Sequence, residues 1–449
     1  MYTGLKRLVP LLLILGLLVA ACAPVGGQQS EEGGAPEKVQ ITFWQGTSVT
    51  ADCIIDVAVN SFNEESDTIE VIAEKKANMM DAVRPALAAG AGPDIVPTHG
   101  PSFVAEFALA DQLMPLDDLA DQFGWEELFV PWALNLGRVQ GTLYSLPQEL
   151  ETMVLFYNKT VFEEHGWEPP TTMDELEVLS AQIQEAGIIP FAGGAADAID
   201  NNEFFFTEFV NKIAGPEKVY QALKGELSWT DPDFVTAIET LNRMFQAGHW
   251  MGSPANFLVT DFSIARAAFA TGEAAMTMEG TWIYDSLVGE MFTEDSEHGN
   301  DWDWVPMPSL TGEAMFNIGT GSTQSINRSS EHPEAAAEFL THYNSPEIQS
   351  RLLVECQYAT APIRLDPSQL EGVEPRMARL LSDFATASAE GNYGYTTWSF
   401  FPPKTNQVIY EEIEKVWVGD MTPEEYMAAV DAAFQEELAA GETLVIPDR

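Results

Sequence analysis

Basic residues are scarce. Against 69 acidic side chains the 449-residue chain sets only 21 lysines and arginines, for a formal net charge of −48. A surface of that sign repels phosphate backbones, which excludes nucleic acid as a partner. Anionic solutes also approach against the overall field, unless one local arginine overrules it. The acidity reads either as a solubility trait of an extracellular protein or as adaptation to salt, since net charge speaks to solubility rather than to fold. Enzyme signatures are thin as well. The six histidines (His99, His165, His249, His298, His332 and His342) never fall into HExxH or another tight metal-ligand spacing, so no metal or cofactor is expected. GTGS at 319–322 lacks the lysine of a phosphate loop and is not GxSxG, so it reads as a turn. No internal repeat is found, and no catalytic residue is assigned.

An apolar run long enough to span a bilayer is missing too. The longest, Leu8 to Ala21, has 14 residues, fewer than a membrane helix needs. Lys6 and Arg7 precede it and Val19-Ala20-Ala21-Cys22 ends it, the arrangement of a secretory signal peptide over 1–21. The ending resembles a bacterial lipoprotein lipobox, with Val19 where leucine is commoner. That resemblance implies that Cys22 becomes the lipidated N-terminus. The Gly/Pro/Gln/Glu-rich stretch over 22–37 then reads as a flexible tether. The implied location is extracytoplasmic, on the outer face of the membrane.

What is plentiful is core material: the chain is 46% hydrophobic and 10% aromatic, with length for two or three domains. Val39, Ile41 and Phe43 alternate with polar residues and predict a strand. A helix over 51–63, a strand IEVIAEK, a helix NMMDAVRPALAAG and a short strand GPDIVP follow. Strands alternating with helices predict an α/β domain with a mostly parallel sheet. Thr172 with Glu175, and Thr422 with Glu425, have capping-box spacing at the starts of two later helices. The helix FSIARAAFAT ends at Gly272 before a strand AAMTM, and Pro346 breaks a helix pair.

Glu149 and Glu151 stand just ahead of the apolar run Met153 to Tyr157. A carboxylate entering a buried segment is costly unless it is neutralised or hydrogen-bonded. In a strand the two share one face, with Cα atoms about 6.6 Å apart. A glycosidase pair must flank the scissile bond from opposite sides, which one face cannot supply. Acceptance of ligand hydroxyls and a structural strand end both stay open.

GPDIV, ADQLMPLDDL, GTLYSLPQELETMVLFYNKTVFEEHG, PPTTMDELEVLSAQIQEAG and FATGEAAMTMEGTWIYDSL, in that order, resemble the family 1 extracellular solute-binding proteins, sugar-loading subunits of ABC importers and distant relatives of maltose-binding protein. The resemblance covers nearly everything from 39 to 440. It implies a two-lobed α/β fold of the periplasmic-binding-protein type II class. Lobe one would comprise 38–150 and 318–360, and lobe two 151–317 and 361–449. Crossings would fall near 149–153, 316–321 and 357–363, with ligand held between the lobes. It implies a monomeric receptor that hands a neutral sugar or oligosaccharide to a membrane permease.

In that reading Glu151 accepts sugar hydroxyls, and Trp282 and Trp398 line the cleft wall, although each tryptophan could equally be core. Trp44, Gln45 and Thr47 after the first strand are further ligand candidates. So are Thr98 and His99 after the third, because ligands favour the carboxyl ends of parallel strands. Thr98, Pro101 and Ser102 stand where maltose-binding protein has Trp, Asp and Arg, so maltodextrin is not implied. Arg84, Arg138 and Arg364 give no clear anion site. Polyol, amino-sugar or glycerol-phosphate-like solutes are the alternative ligands. A secreted carbohydrate-active enzyme, or a sugar-sensing lipoprotein, is the alternative function. The resemblance also puts the helix near Cys53 and the segment ending near Cys356 in one lobe, implying a possible disulfide in an oxidising compartment. Two unpaired small apolar cysteines are the other reading.

Overall fold

The computed structural model describes residues 38–47, 49–77, 79–363 and 371–448. The signal peptide, Cys22, the tether and Arg364 lie outside the described residues. Among the described residues no helix is long and apolar enough to cross a membrane.

Two sheets organise the chain. In the first, Ile69–Lys75, Val39–Gln45 and Ile95–Thr98 lie parallel in that order. The alternation read in the first strand is real: Ile41, Phe43 and Gln45 point inward. The sheet then continues through the long strand Phe316–Ile326, antiparallel to both Ile95–Thr98 and Ser145–Glu151. The short strand Tyr393–Tyr395 joins its far end in parallel. The second sheet runs Trp302–Pro306, Met153–Asn158, Ala274–Gly280, Ile189–Ala192, and only its last pair is parallel. The three strands read as parallel are so, and the expectation of a mostly parallel sheet is corrected where antiparallel strands extend the first sheet and dominate the second. Parallel neighbours need a helical crossover, whereas Ser145–Glu151 and Phe316–Ile326 run directly from one sheet toward the other.

The apolar core follows this division. Ile41, Phe43, Trp125, Leu146, Ile326 and Phe339 share one buried cluster. Met153, Phe156, Phe316 and Ile318 belong to a larger one, rich in aromatics. Phe245 is sandwiched between Trp250 and Trp417, with ring centroids 4.5 and 4.2 Å away and planes within 13°. Such stacking adds about 0.5–1.5 kcal/mol per pair beyond burial. It fixes the helix Pro403–Val418, which holds Trp417 near its end. The larger cluster also takes in Phe103, Val104 and Phe107 from the helix Pro101–Leu109, so the two halves touch through apolar surface as well as through the chain.

The segments near Glu151, Gly319 and Thr360 are hydrogen-bonded side by side. Glu151 pairs with Gly319, and the Leu150 amide donates to the Thr360 carbonyl at 2.9 Å. Both capping boxes form. Cys53 and Cys356 are disulfide-bonded, with Cα atoms 5.6 Å apart across a sequence separation of 303. The bridge ties the helix Val49–Ile54 to the end of Pro346–Glu355.

Candidate functional site

GTGS is not a turn. Its residues lie inside the 11-residue strand Phe316–Ile326, and the glycines are there because Thr396, Ser399 and Glu151 come close. A Cβ on Gly321 would stand 1.6 Å from the Glu151 carboxyl carbon, so that carboxyl rests directly on the glycine. Ser322 follows with φ 42°, a left-handed conformation rare for serine, and it lines a cavity. Gly100, at φ 151°, likewise admits the Trp398 carbonyl, which would lie 2.8 Å from a Cβ there.

These close approaches build one end of a cleft. A cavity of about 220 Å³ is lined by Glu151, Trp282, Trp398, His99 and Ser322 together with Asp200, Asn201, Glu203 and Phe204. A second, of about 620 Å³, shares His99, Asp200, Asn201 and Trp282 and continues past Gly46, Arg84, Arg266 and Tyr410. Trp282 and Trp398 meet nearly at right angles (82°, centroids 5.8 Å apart), and Phe204 closes the corner at 4.9 and 5.6 Å. The strand end at Gly280 and the tight turn Thr281–Ile283 place Trp282 there. The Trp282 indole N–H donates to Glu279 at 3.3 Å, and Glu279 is held by a forked contact from Arg266 at 3.2 and 2.7 Å.

Charge in the corner is one-sided. Burial first, then the charges of Glu149 and Glu203, push the Glu151 carboxyl well above its ordinary range, and the Trp398 indole offsets part of this. Burial also lifts Glu149 well above its range, against the Tyr358 hydroxyl, which lowers it. Glu203 is pushed up to about 8, chiefly by burial, although it accepts from the Thr397 hydroxyl at 2.7 Å. Asp200 behaves oppositely. Burial raises it, but the hydrogen bond and charge of His99, Nδ1 to Oδ2 at 2.9 Å, hold it below the ordinary range. That pair joins the loop after Ile95–Thr98 to the short helix Ile199–Asn202, one from each side of the cleft.

Of the eight ligand candidates, four meet here: Glu151, Trp282, Trp398 and His99. Trp398 is only 2% exposed, so its ring is mostly core with one edge on the cavity. The other four are elsewhere. Thr98 is fully buried and spends its hydroxyl on the Gly100 carbonyl and the Thr323 hydroxyl. Trp44 is half-buried under the Lys76 ammonium, 4.3 Å from its ring centroid. Gln45 is buried, and Thr47 is exposed beside the lining residue Gly46. Sequence reasoning passed over Asp200, Asn201, Glu203 and Phe204. Their signal was present in IDNNEFFF, where polar side chains run into aromatics at a helix start.

A separate cavity of about 270 Å³ lies by Asn211, Lys212, Ser309 and Met315, away from every candidate. Lys212 is fully buried there, 3.8 Å from Glu208, and donates to the Met315 carbonyl. Arg84 and Arg138 pair with neighbouring carboxylates, Arg84 with Glu106 and Arg138 with Asp117 and Glu126.

Comparison with known proteins gives this cleft its setting. An uncharacterised ABC transporter extracellular-binding protein of Pyrococcus horikoshii is 22% identical over 361 residues, 77% of this chain and 78% of that one. A maltotriose-binding protein of Pyrococcus abyssi is 24% identical over 65% of this chain and 59% of its own length. Among solved structures, a chitin oligosaccharide binding protein superposes with a TM-score of 0.75 at 22% identity, covering 90% of this chain and 99% of that chain, which shows the two-lobed fold. The family model described as bacterial extracellular solute-binding protein matches residues 49–350. The chain belongs to that family of extracytoplasmic receptors.

Proposed function

We propose that the protein is a receptor that takes a sugar or oligosaccharide into the cleft between its lobes and delivers it to an ABC import permease. One observation carries this reading: the rings of Trp282 and Phe204, an edge of Trp398 and the hydrogen-bonding carboxyls of Glu151 and Glu203 converge on one cavity. Sugars present apolar C–H faces and polar edges, and this lining matches both. Maltotriose and chitin oligosaccharide, named for two relatives, are of the same chemistry.

Glu151, Trp282 and His99 are the proposed ligand contacts, with Trp398 presenting an edge. Trp44, Gln45, Thr47 and Thr98 are at most supports around them. The proposed lobes are 38–150 with 318–360, and 151–317 with 361–449. Supporting this division, Leu146 and Ile326 sit in one core and Met153 and Phe156 in the other. Acylation at Cys22 would anchor a monomeric receptor by its tether, and binding without catalysis fits the family.

The test is a thermal-shift screen of the purified protein against a carbohydrate panel, because a ligand that binds only the folded state raises its stability. At least one sugar should raise the midpoint in a concentration-dependent way and be recovered intact afterwards. Deleting the gene should abolish uptake of that sugar. Binding without an uptake defect would favour sensing, and a cleaved sugar would favour an enzyme.

A further inference from the structure

Three carboxyls are buried in and beside the aromatic corner without a counter-charge from the described residues. Glu149, Glu151 and Glu203 are 1%, 7% and 4% exposed, and among the described residues no lysine or arginine is an ion-pair partner of any of them. Glu149 Oε1 has no hydrogen-bond partner there. The cations nearby are already engaged: Arg84 with Glu106, Arg266 with Glu279, and His99 with Asp200. Asp285, a further buried carboxyl, adds to the field at Glu149. Buried carboxylates without a counter-charge are costly, and burial pushes the pKa of each of these three upward.

A neutral hydroxyl could hydrogen-bond to two of these carboxyls, but it would leave their charge uncompensated. A cation in the same place lets them ionise and form the stronger, charge-assisted class of bond. The walls suit a cation as well. Trp282, Phe204 and an edge of Trp398 form a three-sided corner, and the face of a ring such as Trp282 attracts an ammonium group within about 6 Å of its centroid. Among the described residues no three His, Cys, Asp or Glu side chains converge closely enough to hold a metal ion, which leaves an organic cation.

Resting on the carbohydrate reading above, we propose that the sugar unit seated between Trp282, Trp398, Glu151 and Glu203 carries a protonated amine. The amine is the one charge this adds to an otherwise uncharged sugar. The net charge of −48 draws such a ligand in rather than repelling it.

Calorimetric titration of the full chain tests this with three matched series: amino-sugars (glucosamine, galactosamine and β-1,4-linked glucosamine oligomers), their N-acetylated forms, and their hydroxyl counterparts of equal length. An amino-sugar should bind at least about tenfold tighter than its own acetylated and hydroxyl counterparts. Glu203→Gln should cut that preference to about threefold or less. Glu151→Gln is the second variant, should Glu203→Gln not fold. An acetylated or hydroxyl sugar that binds as tightly as its amine overturns the proposal while leaving the carbohydrate reading intact. A preference unchanged in both variants also overturns it. If no member of any series binds, the carbohydrate reading fails and this inference with it.

Discussion

Adding one methyl group at Gly321 should move the carboxyl of Glu151 without altering Glu151 itself. The backbone there is ordinary strand, so alanine is tolerated conformationally, but its Cβ would lie 1.6 Å from the Glu151 carboxyl carbon. Van der Waals separation requires the carboxyl to retreat by about 2 Å. A hydrogen bond made at about 2.7 Å does not survive that displacement. Because the group that yields is the end of a flexible side chain, Gly321→Ala should cost about 1–2 kcal/mol of stability, the low end for overpacking. Binding should suffer more, since a hydrogen bond to the protonated amine inferred above is charge-assisted and worth about 1.5–3 kcal/mol, or about ten- to a hundredfold in affinity. A double-mutant cycle read by calorimetry and thermal melting separates the two effects. In a Glu151→Ala background, Gly321→Ala should cost almost nothing further in either measure, because the clash has gone. Wild-type affinity in Gly321→Ala, or an equal loss in both backgrounds, would refute the seating of Glu151 on the glycine as the basis of binding.

Trp282→Ala should weaken sugar binding by about 1–3 kcal/mol through lost stacking and buried area; an unchanged dissociation constant with a large fall in melting temperature would make Trp282 a core residue. Glu203 has a folded pKa of about 8, above the ordinary carboxyl value near 4.3. Between those values the folded state holds a proton that the unfolded state lacks, so its contribution to stability falls as pH rises through that window. The melting temperature of the wild type should therefore fall relative to Glu203→Gln from pH 5 to 8, and parallel curves would contradict the burial of that carboxyl. Breaking Cys53–Cys356 with Cys356→Ser should destabilise the protein by about 5–6 kcal/mol at most, the chain-entropy ceiling for so long a loop. In a Cys22→Ala background, thiol titration of the denatured protein without reductant should find none, whereas two free thiols would exclude the bridge.

The parts of this structure legible in the sequence are those set by local rules. Strand alternation at Ile41 and Phe43, the capping boxes at Thr172 and Thr422, and the breaks at Gly272 and Pro346 each depend on residues a few positions apart. The parallel strands were legible, but helix–strand alternation says nothing of antiparallel partners distant in sequence, such as Phe316–Ile326 and Ser145–Glu151. GTGS was misread because its glycines answer to Glu151, Thr396 and Ser399, all distant in sequence. The site divides in the same way. Glu151 and Trp282 stood out by their place in the family pattern, whereas Thr98 was expected at a strand end and is turned into the sheet instead. Asp200 and Glu203 owe their importance to His99 and Thr397, about 100 and 190 residues away, which no local spacing displays.

A crystal structure of the protein with the sugar that most raises its melting temperature tests the central claim most directly. The account predicts a sugar ring against Trp282, with a ligand oxygen or nitrogen within hydrogen-bonding distance of the Glu151 carboxyl, in the cavity closed by Trp398 and Phe204. A ligand bound instead beside Lys212 and Met315, with the Glu151 cavity empty, would contradict it.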